Sequence, residues 1–90
     1  MTEKDLEKFK TKLVETTSFP TVYMYKFIVR ADNRSIALVE NLFDENAEVH
    51  TKQSEKGNYI SITCKQVSTS VDEIINLYRK ASTIEGIVFL

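Results

Sequence analysis

The chain has 90 residues, of which 42% are hydrophobic and 28% charged, which is one domain's worth of ordinary globular composition and too apolar for a disordered segment. A domain of this size buries only about 60 to 65% of its unfolded surface, so a ligand site is expected to be shallow or shared between subunits. Twelve Lys and Arg against thirteen Asp and Glu give a net charge of -1, which excludes a strong overall field toward nucleic acid or anionic membrane and leaves only local patches.

Residues 3 to 16 read as a surface helix. Leu6, Phe9 and Leu13 recur at three- and four-residue spacing, with Asp5 and Lys8, Glu7 and Lys10, and Lys12 and Glu15 placing opposite charges one turn apart. Thr16-Thr17-Ser18 and Phe19-Pro20 end it, because proline holds its predecessor in extended geometry. Thr21 to Arg30 is rich in aromatic and β-branched residues, the composition of a strand. Its odd positions Tyr23, Tyr25, Phe27 and Val29 are apolar throughout, and the even positions Met24, Lys26, Ile28 and Arg30 are mixed, so the odd side is expected to face the core.

Asp32 or Asn33 is suited to cap a helix through about Asp44, with Ile36, Val39 and Phe43 inward. Residues 47 to 54 alternate loosely and read as an edge strand protected by its charges. Glu55-Lys56-Gly57-Asn58 supplies a turn, with Gly57 free to take positive φ. In the strand that follows, Tyr59 to Val67, Ile60, Ile62 and Cys64 face inward while Tyr59, Ser61, Thr63 and Lys65 face out. Ser70 and Glu73 have the spacing of a capping box ahead of a core helix built on Val71, Ile74, Ile75, Tyr78 and Ala81. Ile84 to Leu90 reads as a short closing strand.

The order is a helix followed by βαββαβ. Right-handed crossovers then place two helices on one face of a four-stranded antiparallel sheet, an α+β ferredoxin-like sandwich with a short N-terminal helix. Residues 1 to 18 are expected to be a helical appendage to a single domain over residues 19 to 90. The second sheet face is expected to be bare, with Met24, Ile28 and Tyr59 beside Lys26, Arg30 and Lys65.

His50 and Cys64 are the only imidazole and thiol, on different strands of opposite exposure. Neither metal-site spacing nor a nucleophile with a base is visible, and carboxylates cluster where solvation and capping explain them. No enzyme, cofactor or metal is therefore expected. The single cysteine and the charged start MTEKDLEKFK fit the reducing cytoplasm, and no apolar run approaches the length of about 20 residues that spans a bilayer.

Phe19-Pro20-Thr21 with Tyr25-Lys26 opening a strand, and Ser54-Glu55-Lys56-Gly57-Asn58-Tyr59 with Ser61 at the hairpin, resemble the YbeD-like family of small bacterial proteins over residues 13 to 90. The family motif carries over to Phe19, Pro20, Tyr25, Lys26, Lys56, Gly57, Asn58 and Tyr59. The resemblance implies a fold similar to the ACT regulatory domain, which binds amino acids at subunit interfaces. A small effector would then sit near Asn33 and Arg34, where Arg30-Ala31-Asp32-Asn33-Arg34 stands in place of the glycine that such loops usually carry.

The expected role is a non-catalytic regulatory or adaptor module that self-associates or docks a protein through Met24, Lys26, Ile28, Arg30, Tyr59 and Lys65, or through a strand edge. An ACT-like sensor of an amino acid or carboxylate metabolite is the alternative. Single-stranded RNA binding is disfavoured, because Tyr59 alone offers a stacking ring on the hairpin strand and the net charge is -1.

Overall fold

A computed structural model describes all 90 residues. In chain order the elements are α1 (Glu3–Thr16), β1 (Thr21–Arg30), α2 (Asn33–Glu40), β2 (Glu48–Gln53), β3 (Tyr59–Ser68), α3 (Val71–Ala81) and β4 (Val88–Phe89). The four strands form one antiparallel sheet in the order β2-β3-β1-β4, the ferredoxin-like arrangement expected from the sequence.

The odd side of β1 organises the core. Tyr25, Phe27 and Val29 are fully buried, as are Ile62 and Cys64 of β3, and α3 covers them with Ile74, Ile75, Leu77, Tyr78 and Ala81. The Tyr78 ring meets Tyr25 at 5.4 Å, Phe27 at 6.0 Å and Phe89 at 5.7 Å between centroids, within the range of favourable aromatic pairing. Its hydroxyl lies 3.1 Å from that of Tyr23, and burial pushes it far above the usual phenol range.

α1 packs on α3 within the helical layer, away from the second sheet face. Leu6 and Leu13 join the common core, and Phe9 sets its ring edge-on to Tyr78 at 5.2 Å. Arg79 donates to Glu3 through Nε at 2.8 Å and Nη2 at 3.0 Å, and Lys10 Nζ lies 3.0 Å from Asp72. Both ion pairs are solvent-exposed and so add little to stability.

Local chemistry explains where the elements stop. The helix expected to run to about Asp44 ends at Glu40. Leu42 and Phe43 N–H turn back to Val39 and Glu40 carbonyls, and the Asp44 carboxylate accepts from Asn46 N–H at 2.9 Å, a side-chain turn that competes with helix. Asp44 and Glu45 thus lie beyond the helix terminus whose dipole would oppose them, and Phe43 swings inward against Tyr25 at 5.2 Å. The closing strand, expected over Ile84 to Leu90, is only Val88–Phe89. Residues 82 to 87 are spent on a turn in which Ile84 is buried and Gly86 takes φ +75°.

At the start of α3, Ser70 Oγ accepts from Glu73 N–H at 3.2 Å. The Glu73 carboxylate reaches Thr69 N–H and Oγ1 at 2.7 Å each, one residue further back than the expected capping box. Asp32 caps α2 by accepting from Ser35 N–H at 2.7 Å, and Thr2 and Asp5 cap α1 reciprocally.

The capping bonds hold the carboxyls of Asp5, Asp32 and Glu73 below their ordinary values of 3.8, 3.8 and 4.5, and the Arg79 hydrogen bond does the same for Glu3. A lowered native pKa stabilises above the unfolded value and is lost as the proton is taken up. Urea titrations should therefore give stability insensitive to these groups above pH 5 and falling as pH drops from about 4.5 toward 3; unchanged stability down to pH 3 would contradict the capping roles. The buried hydroxyl of Tyr25 has no hydrogen-bond partner. Burial raises its pKa, and Ser68 opposes that shift without a bond of acceptable geometry. Since an unsatisfied buried hydroxyl costs about 1 to 3 kcal/mol, Tyr25→Phe should keep or raise the unfolding free energy by about 1 kcal/mol, whereas a loss of that size would reveal a partner.

Candidate functional site

The sheet face opposite the helices is bare. Strand alternation places Met24, Lys26, Ile28 and Arg30 of β1 on it, with Tyr59 and Lys65 of β3, because each β1 residue directly faces a β3 residue with its side chain on the same side. The register pairs Met24 with Lys65, Lys26 with Thr63, Ile28 with Ser61 and Arg30 with Tyr59. Six residues that the sequence singles out for this face therefore lie together, with Ile28 half-buried and the others exposed.

The same parity adds residues that the sequence reading left out. Val22 and Val67 are opposite one another, Val88 of β4 stands beside Ile28, and β2 contributes Glu48, His50 and Lys52 opposite Lys65, Thr63 and Ser61. Val22, Met24, Tyr59, Val67 and Val88 are each at least half exposed, at 66, 54, 51, 62 and 50%. Extending the even side of β1 back to Val22 and the outward side of β3 on to Val67 was enough to find the first two. Lys52 needed the β2 register, which loose alternation could not fix.

Electrostatically the face is basic. Lys26, Arg30, Lys52 and Lys65 form no ion pair within 4.0 Å, and against them stand the carboxylates of Glu48 and, at the hairpin, Glu55. Four cations and two carboxylates leave the face at +2 on a molecule of net charge -1. The Glu48 carboxylate accepts from His50 Nε2 at 2.9 Å, and that bond, His50 and then Lys65 hold its pKa below the usual carboxylate range.

A shallow groove of about 580 Å³ opens on this face between Ile28, Tyr59 and Ser61 and the hairpin residues Lys52 to Glu55. The hairpin that shapes it explains the Lys56-Gly57-Asn58 segment. Ser54 N–H donates to Tyr59 O at 2.8 Å, Gly57 N–H to Ser54 O at 2.9 Å, and Tyr59 N–H to Ser54 Oγ at 3.1 Å. Gly57 takes φ +76°, and a Cβ there would sit 3.2 Å from Gln53 Nε2, so glycine is required by conformation. Asn58 O accepts from Ala31 N–H at 3.0 Å, tying the turn to the end of β1. Phe19 packs partly buried against the core just ahead of Pro20, and the peptide between them is cis.

A second groove, of about 450 Å³, lies where the loop after β1 meets the turn after α3, lined by Arg30, Asp32, Arg34, Ser35, Leu38, Thr83, Ile84 and Glu85. Arg34 borders it and Asn33 does not. The N-terminus of α2 is already occupied by the Asp32 carboxylate, whose bond to Ser35 N–H, assisted by Arg30 and Arg34, lowers its pKa. Two cations and two carboxylates thus line one space.

Cys64 is fully buried opposite Val49, and desolvation pushes its thiol up to about 11, which suppresses the thiolate at neutral pH. His50 is exposed on β2. No cluster of three or more His, Cys, Asp or Glu is placed to hold a metal ion, and no helix is long and apolar enough to cross a membrane.

Residues 14–90 match the family described as "Protein of unknown function (DUF493)". The chain is 32% identical over 81 residues to a UPF0250 protein of Shewanella halifaxensis and 35% identical over 81 residues to one of Shewanella putrefaciens, each alignment covering 86% of this chain and 92% of the relative. It is 31% identical over 80 residues to a UPF0250 protein of Pectobacterium carotovorum, covering 84% and 92%. No solved structure matches. The FPT and KGNY segments, one at the entry to β1 and the other shaping the β2–β3 hairpin, lie inside the matched region, and the chain belongs to the DUF493/UPF0250 family of small bacterial proteins, which is the YbeD-like family.

Proposed function

We propose that the protein is a non-catalytic adaptor or regulatory module of the cytoplasm that docks a protein partner through its open sheet face. The observation that carries this reading is the joint display of Val22, Met24, Tyr59, Val67 and Val88 with four unpaired cations. Exposed apolar side chains ringed by charge are the anatomy of an interface whose core desolvates while its rim selects. The sign of that rim selects a partner presenting apolar side chains among carboxylates, since complementary charge raises the association rate and rejects basic surfaces.

The same cations suit a phosphate backbone less well. Only Tyr59 supplies an aromatic ring on the face, and single-strand binders stack successive bases on several. A sensor of an amino acid or carboxylate metabolite, the second reading, rests on Arg30 and Arg34 in the smaller groove; Asp32 and Glu85 beside them neutralise the attraction.

Affinity capture from the native host, with quantitative mass spectrometry, compares the wild type with Tyr59→Asp and with Lys26→Glu/Lys65→Glu. A partner with an acidic surface should be retained by the wild type and reduced at least about tenfold in both variants, the loss of about 1.4 kcal/mol expected from a disrupted anchor or rim. Arg79→Ala, on the helical side, should retain it. Equal capture by all four proteins would remove the open face from the mechanism, and recovery abolished by ribonuclease would replace the protein partner with RNA.

A further inference from the structure

β1 has an outer edge that no strand covers along half its length. All ten of its residues pair with β3, but β4 meets only Phe27 and Ile28, and Leu90 N–H adds one bond to Lys26 O at 3.0 Å. Thr21 to Tyr25 have no strand outside them. In an antiparallel ladder, residues that exchange both backbone bonds with the partner alternate with residues whose groups point away. Ala31 N–H bonds Asn58 O in the step that continues the β1–β3 register. The odd residues of β1 therefore turn their amides toward β3, and Val22 and Met24 present N–H and C=O to the outer edge.

Edges of this kind are normally blunted by charge or shortness. β2, the opposite edge, carries Glu48, His50 and Lys52, and β4 is two residues long. Thr21 to Tyr25 is uncharged, and Val22, Met24 and the neighbouring Val67 are more than half exposed. The segment is bounded by Pro20, which lacks an N–H, and by Leu90, bonded at Lys26.

We propose that this edge pairs with the same edge of a second copy of the chain, antiparallel about a two-fold axis through Tyr23. Val22 then stands opposite Met24 of the second copy, and each of the two symmetry-related pairs exchanges both of its backbone bonds, while Pro20 of the second copy falls opposite Lys26 and displaces Leu90 from its bond to Lys26 O. The five-residue window reads the same in both directions as a row of uncharged positions, so the pairing brings no like charges together. A charged partner segment would gain nothing there. The sheet extends from four strands to eight, and Val22, Met24 and Val67 of both copies form one apolar strip. The inference shares Val22, Met24 and Val67 with the docking reading and parts from it at Tyr59, which lies at the far end of β1, opposite Arg30.

Sedimentation velocity over a concentration series tests it with two charge-reversed variants, Val22→Lys/Met24→Lys and Val22→Glu/Met24→Glu. The wild type should be a reversible dimer, each variant alone should raise the dissociation constant at least about tenfold, and an equimolar mixture should restore dimers because each lysine then faces a glutamate. That recovery also demonstrates that both variants fold. A wild type that stays monomeric up to about 1 mM, variants that dimerise alone, or a mixture that stays monomeric would each overturn the edge pairing. Tyr59→Asp should leave the dimer intact, so loss of partner capture and loss of dimerisation are read separately; dissociation by Tyr59→Asp would place the contact on the face and overturn the edge.

Discussion

The packing of Tyr25, Phe27 and Val29 beneath Tyr78 and Ile74 of α3 is the constraint on which the other features rest. Strand alternation has a period of two, so committing the odd side of β1 to the core sends every even residue to the opposite face. β3 repeats the division through Ile62 and Cys64 inward and Tyr59, Lys65 and Val67 outward. The ten-residue β1–β3 pairing locks the two patterns together. α1, α2 and α3 all serve one side, so no helix covers the other.

The physical character of that other side follows from what β-strands tolerate. Val22, Met24 and Val67 satisfy the strand's preference for bulky side chains, and Lys26, Arg30, Lys52 and Lys65 keep the surface hydrated. A purely structural sheet surface would leave apolar side chains scattered singly, which needs no explanation. Here cross-strand register gathers them, with Val22 beside Val67 and Ile28 beside Val88. It also concentrates four unpaired cations on one face of an almost neutral molecule.

Much of this was legible in the residues. The charged, thinly apolar helix at Glu3–Thr16, the strand at Thr21–Arg30 and the periodic helix ending at Ala81 carry periodicities of 3.6 or 2 over two turns or more, and the structure follows them closely. The misreadings fall where a side chain competes with the backbone or where apolar residues pack without regular structure. Asp44 closes a turn of its own, so α2 stops at Glu40 despite Leu42 and Phe43 continuing the apolar pattern. Ile84 is buried in a turn, and its apolarity mimics a strand. The six residues singled out for the open face lie together because parity is robust, whereas the β2 contribution required the register across the hairpin that Gly57 fixes.

Solvent accessibility at single side chains measures the division between the two faces most directly. Hydroxyl-radical footprinting of the dilute protein, read by mass spectrometry, should find Met24 and Tyr59 heavily oxidised and Tyr25, Phe27 and Tyr78 protected. Protection of Met24 and Tyr59 equal to that of Tyr25 would mean that the second sheet face is covered, and the account built on its exposure would be wrong.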